Sequence, residues 1–193
     1  MSVTTTDHTI NTLSRRLFDA TGVSVTRCYQ CGKCTAGCPM AEEMDYTPSH
    51  LLRLLQLGLP GFEDKVLGAY SPWVCLTCEM CYARCPQDVD IPKMMDFLRS
   101  EAVRLNKVNP RANDFVSFHK TMLDSIRYVG RLYEVGMIMG YKARTWHLFE
   151  DIMMAPTLFF KGKLKIFPHL IKNRKNMSQI FKRSGKARKE ASK

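Results

Sequence analysis

Two cysteine runs constrain this chain more than any other feature. CYQCGKCTAGCP at 28–39 and CLTCEMCYARCP at 75–86 share one pattern, C-x2-C-x2-C-x3-C-P. A fixed pattern used twice is the mark of a duplicated unit. Cys28, Cys31, Cys34, Cys38, Cys75, Cys78, Cys81 and Cys85 are all the cysteines in its 193 residues. Their purpose depends on compartment. The start, MSVTTTDHTINTLSRRLFDA, lacks the basic end and apolar block of a secretory leader. No stretch approaches the ~18 apolar residues of a spanning helix. The longest, IMMAPTLFF at 152–160, is short and followed by Lys161. These features predict a cytoplasmic protein with no transmembrane segment, where disulfides are rare and thiols serve metals or redox chemistry.

The spacing selects among metals. The x2, x2 triplet lets one tight loop present three thiolates to one four-iron cluster. The fourth cysteine, three residues on and followed by Pro39 or Pro86, points elsewhere. Where two such clusters share a chain, that cysteine ligates the other cluster. The expectation is therefore two 4Fe-4S clusters. Cluster I takes Cys28, Cys31, Cys34 and Cys85; cluster II takes Cys75, Cys78, Cys81 and Cys38. Crossing ties the repeats together through metal and couples folding to it. Zinc prefers paired C-x2-C units giving two ligands each, which a triple run does not suit.

With all eight thiolates used, neither cluster has an open iron, and open positions are what metal catalysis requires. Saturated clusters relay electrons, so no catalytic residue is assigned. The chain has no G-x-G-x-x-G fingerprint, and none of its five histidines pairs with another at metal-ligand spacing. Gly32 and Gly37 are expected to permit positive φ and close backbone approach near the sulfurs. Tyr29, Trp73, Leu76, Met80, Tyr82 and Ile91 fit either a dry shell around the clusters or an ordinary core. Lys33 and Arg84, inside the runs, fit tuning charges, a docking surface or simple solvated charges.

Four parts are expected. Residues 1–24 form an N-terminal extension with a short helix near Asn11–Ala20, Leu13 and Leu17 sharing a face. Residues 25–107 form the cluster domain. There Thr47 caps a helix, Pro48 suits its first position and Gly58 ends it. Asp90 caps a second helix with Pro92 in its first turn. The periodicity places Leu51, Leu54 and Leu55, then Met94, Phe97, Leu98 and Val103, on buried faces. Residues 62–70 suit a short helix between the runs. Residues 108–160 look helical, with Gly130, Gly136 and Gly140 arguing against one long helix over 115–139. Residues 161–193 form a basic tail with 12 Lys or Arg and one acid, against 17 basic and 17 acidic residues in 1–160. No run alternates as a strand would; the fold class is all-α.

Residues 25 to about 105 resemble the C subunit of heterodisulfide reductase. The resemblance rests on CYQCGKCTAGCP, TPSHLLRLLQLG and WVCLTCEMCYARCPQDVDIPKMMDFLR. A similar two-cluster helical domain occurs in iron–sulfur subunits of succinate dehydrogenase and fumarate reductase, and in glycolate oxidase-type proteins. The resemblance implies an α-helical ferredoxin fold and an oxidoreductase complex. There the C subunit links a flavin-containing A subunit to a cysteine-rich B subunit that performs disulfide chemistry. This chain has no adjacent cysteines, so it is not a B subunit. The alternatives are the iron–sulfur subunit of a membrane-associated quinone-linked complex, a free dicluster ferredoxin, or an enzyme with a substrate-binding cluster. The tail suits docking on an acidic partner, peripheral contact with an anionic membrane, or a solvated end; few aromatics interleave its charges, which argues against nucleic acid.

Overall fold

The computed structural model describes residues 12–59, 61–145, 160–161, 171 and 174–190. All regular elements among them are helical, which agrees with the all-α expectation. The chain divides into two compact units, Met1–Ala112 and Asn113–Lys193.

The first unit opens on α1, Leu13–Thr21, whose N-cap Thr12 accepts a hydrogen bond from Arg15 N at 3.3 Å. Leu13 and Leu17 are fully buried on its inner face. The one-turn helix α2, Lys33–Ala36, lies within the first cysteine run. Next comes α3, Pro48–Leu57, with Pro48 in its first turn and Gly58 at φ 56° closing it. Thr47 occupies the N-cap without a side-chain hydrogen bond. Two short helices follow, α4, Phe62–Leu67, and α5, Ser71–Val74. The second run carries the one-turn helix α6, Met80–Ala83. The unit's longest helix is α7, Ile91–Arg104, capped by Asp90, which accepts from Lys93 N at 3.0 Å.

The core gathers Leu13 and Leu17 from α1, Leu51, Leu52 and Leu55 from α3, Val66 and Leu67 from α4, and Ile91, Met94, Met95 and Leu98 from α7. Burial differs from the periodicity at several positions. Leu52 and Met95 are buried, whereas Leu54 and Phe97 are only partly buried and Val103 is 37% exposed. The cause is crowding: α3 meets α1, α2 and α4, and α7 meets α1, α4, α5 and α6, so the covered arcs are wider than one stripe and centred differently.

Polar ties fix the helix ends. Glu63 accepts from Leu13 N at 2.6 Å, and Arg16 reaches both Glu63 at 3.9 Å and Glu101 at 3.1 Å. Glu101, buried on α7, takes a forked bond from Arg104 at 2.7 and 2.6 Å. Asp45 accepts from Tyr46 N, Tyr70 N and Ser71 N at 2.9, 2.7 and 2.9 Å, and from the Ser71 hydroxyl. It thereby binds the loop after the first run to the start of α5. Burial opposes ionisation of Asp45, yet these donors outweigh it and hold the carboxyl below its usual range.

In the second unit α8, Asn113–Val129, and α9, Glu134–Thr145, pack together. The expected single-helix interruption falls at Gly130, whose φ of 89° suits glycine. Gly136 and Gly140 instead lie inside α9; a Cβ at Gly140 would stand 2.8 Å from Thr121 Cγ2. Arg144 bonds the Thr121 hydroxyl and Asp124, the latter at 2.7 Å. The last described helix, α10, Arg174–Glu190, also packs on α8 and carries much of the basic tail. Residues 152–159 of the apolar stretch lie outside the described residues, as does Asn11. No helix among the described residues is long and apolar enough to cross a membrane.

Candidate iron–sulfur site

The two runs follow the same backbone path. Between the first and second cysteines, Gln30 has φ 62° and its counterpart Thr77 has φ 51°. After the second cysteine, Gly32 has φ 76° and its counterpart Glu79 has φ 61°. Only one of these four is glycine. Left-handed backbone at the other three is strained, and such strain persists where the surroundings enforce it, commonly at functional sites. Its effect here is to turn main-chain N–H groups toward sulfur. Gln30 N donates to Cys28 Sγ at 3.4 Å, and the Thr77 main-chain amide favours the thiolate of Cys75. Val89 N donates to Cys85 Sγ at 3.3 Å.

The third cysteine of each run rides on a one-turn helix, Cys34 on α2 and Cys81 on α6, and these two helices pack together. The fourth cysteines land across the repeat. Cys38 lines one hollow with Cys75, Cys78 and Cys81, walled by Pro39, Met40, Met44, Leu76, Met80, Ile91, Pro92 and Met95. On the other side the Tyr29 hydroxyl lies within electrostatic reach of Cys31, Cys85 and Cys28, and Cys34 is within reach of Cys28. Cys31 and Cys78 are exposed, and Cys34 is buried.

Of the shell residues expected from sequence, Leu76, Met80 and Ile91 wall the hollow. Tyr29 and Leu76, at equivalent positions in the runs, are also exposed, at 58% and 60%. Gly32 shows the expected positive φ, whereas Gly37 shows neither that nor an approach to sulfur. A Cβ at Gly37 would fall on the Arg84 guanidinium. Arg84 thus lies across the other repeat, while Lys33 is exposed.

Three contributors escaped the sequence reading. Arg99 on α7 donates to the carbonyls of Pro72 and Cys75, both at 2.5 Å, and its charge bears on the Cys75 thiol. Gln30 and Gln56 form an amide pair beside Cys28. No pattern marks these residues, because each acts through a fold contact or an unspecified position of the motif.

Without iron, burial raises the Cys34 and Cys75 thiols above their usual range and pushes Cys81 up to about 12, the neighbouring Cys75 adding to it. The metal-binding form is the thiolate, so assembly displaces these protons. The donor set suits iron–sulfur ligation: sulfur only, with apolar walls and N–H donors aimed at sulfur.

Comparison with known proteins agrees. Residues 24–89, which carry all eight cysteines, match the 4Fe-4S dicluster domain family. Within that class the chain is similar to the iron–sulfur C subunits of heterodisulfide reductases. Over 81 residues it is 42% identical to the second such C subunit of the CoB–CoM heterodisulfide reductase of Methanocaldococcus jannaschii, covering 42% of this chain and 41% of that protein. Over 82 residues it is 40% identical to the corresponding C subunit of Methanopyrus kandleri, covering 42% and 41%. Over 105 residues it is 31% identical to the C subunit of the H2:CoB–CoM heterodisulfide,ferredoxin reductase of Methanothermobacter marburgensis, covering 54% and 55%. The chain thus spans about half the length of the curated relatives it matches.

Proposed function

We propose that this chain holds two 4Fe-4S clusters and serves as the electron-relay subunit of a heterodisulfide reductase-like complex. Cluster I is held by Cys28, Cys31, Cys34 and Cys85, and cluster II by Cys75, Cys78, Cys81 and Cys38. The observation that carries this reading is the grouping of Cys38 with Cys75, Cys78 and Cys81 around one hollow, the fourth thiol coming from the other run. The closeness of Cys85, Cys28 and Cys31 to Tyr29 supports the reciprocal set.

Clusters of this type, when bound, take up and release single electrons. The protein's own groups do the rest. Eight thiolates close every iron to substrate. Met40, Met44, Met95 and Ile91 keep water from one set, and the N–H groups of Gln30 and Val89 offset negative charge on sulfur. The exposed Cys31 and Cys78 give each cluster an edge near the surface, an arrangement suited to separate donor and acceptor contacts. The partners proposed are a flavoprotein and a cysteine-rich catalytic protein of the same complex, in the cytoplasm. Residues 25–107 would be the cluster domain, followed by the helical region 108–160 and the basic tail 161–193.

Anaerobic affinity capture of the native protein, with mass spectrometry and iron analysis, tests the proposal. It predicts about eight iron atoms per chain and co-purification of a flavoprotein with a second cysteine-rich protein. A monomer without such companions would contradict the relay assignment.

A further inference from the structure

The repeats share their backbone, yet Gln30 breaks the symmetry between them. Besides its main-chain N–H, Gln30 offers its side-chain amide to the same sulfur, Nε2 lying 3.5 Å from Cys28 Sγ. At the equivalent place in the second run the side chain turns away: the Thr77 hydroxyl donates to Leu76 O at 2.7 Å.

An amide has a donor and an acceptor end, so something must decide which faces sulfur. Gln56, on α3, supplies that decision. Its Nε2 donates both hydrogens to main-chain carbonyls, Val25 O at 2.9 Å and Cys28 O at 2.6 Å. Its oxygen is therefore the end left for Gln30, and it accepts from Gln30 Nε2 at 3.2 Å. That bond puts the nitrogen of Gln30 beside Cys28. Reversing Gln30 would set two amide oxygens together, and reversing Gln56 would set its oxygen against two carbonyls.

We infer that Gln30 tunes the reduction potential of the cluster held by Cys28, and that Gln56 acts as the positioning residue that fixes the Gln30 amide. The inference rests on Cys28 being a cluster ligand, as proposed above. Reduction adds negative charge that spreads onto the ligand sulfurs, so an N–H donor stabilises the reduced form more than the oxidised one and raises the potential. Removing the side-chain donor lowers the potential of one cluster and leaves the other in place.

The test is an anaerobic redox titration of the full-length protein followed by EPR, on wild type, Gln30→Met, Gln56→Met and the double variant, each with iron content measured. Gln30→Met should lower the reduced-to-oxidised ratio of one cluster at a fixed potential about fivefold, as expected for one hydrogen bond. Gln56→Met should shift the same cluster in the same direction by less. The double variant should match Gln30→Met alone, because positioning has no effect once the amide is gone. Full iron with both midpoints unchanged in Gln30→Met, or equal shifts of both clusters, would overturn the inference. If Gln30→Met loses iron, Gln56→Met decides on the same criterion: a shift in one cluster supports it, and no shift overturns it. Cys28→Ser separates the two readings. A Cys28→Ser protein with full iron and unchanged spectra at both clusters removes the ligand assignment. Altered spectra there, with Gln30→Met unchanged, remove only this inference.

Discussion

Glu101 is a carboxylate buried among core helices, made tenable by Arg104 and Arg16. Glu101→Gln leaves both guanidiniums facing a neutral amide, and because each keeps access to water it should destabilise the first unit by about 1–2 kcal/mol, as losing charged hydrogen bonds does; thermal unfolding of the anaerobic protein measures it. The pH dependence has a defined sign. The forked bond from Arg104, chiefly, holds the Glu101 carboxyl below its ordinary 4.5 although burial opposes this, with Arg16 adding to it. A carboxyl lowered by folding stabilises above its unfolded value, and that contribution is lost as pH falls through the folded one. Wild type should therefore lose more of its unfolding midpoint than Glu101→Gln between pH 6 and the acid side of about pH 4. A second residue-scale prediction concerns Glu79, whose φ of 61° is glycine territory and whose counterpart is Gly32. Glu79→Gly should raise stability by about 1 kcal/mol, the left-handed penalty of a residue with a Cβ. An unchanged or lower unfolding midpoint would argue that the Glu79 side chain makes a compensating contribution.

At the scale of elements, the caps and breakers explain what was legible in sequence. Pro48, Gly58 and Asp90 act through local chemistry, so the start and end of α3 and the start of α7 were readable, whereas of the three glycines after α8 only Gly130 marks the break. Burial depends on neighbours. Leu52 and Met95 went unread because several helices close over α3 and α7 from directions a single stripe does not encode, while Val103 stands outside them. The candidate site divides the same way. Its cysteines announce themselves by spacing, whereas Arg99 is brought to Cys75 by helix packing and Gln56 to Cys28 by the packing of the end of α3 on the turn Val25–Arg27. The left-handed backbone at Gln30, Thr77 and Glu79 was hidden because those residue types do not advertise it. Within the second unit, Gly140 allows α9 to approach Thr121 on α8. Gly140→Leu should wedge the pair apart at a cost of about 1–3 kcal/mol, read as an earlier loss of helical signal, with the iron-related absorbance unchanged.

For the whole molecule, the duplication matters most. Each run builds the same loop and one-turn helix, and α2 meets α6, so Cys38 and Cys85 are each carried to the far repeat. If metal ties the repeats together in this way, neither run assembles a complete site alone, and the first unit depends on both. The central claim is this exchange of fourth ligands, and its most direct test is EPR of the reduced Cys28→Ser, Cys85→Ser and Cys75→Ser proteins. The crossed arrangement predicts that Cys85→Ser alters the same cluster signal as Cys28→Ser and leaves the one altered by Cys75→Ser intact. A Cys85→Ser spectrum that changes with Cys75→Ser instead would contradict it.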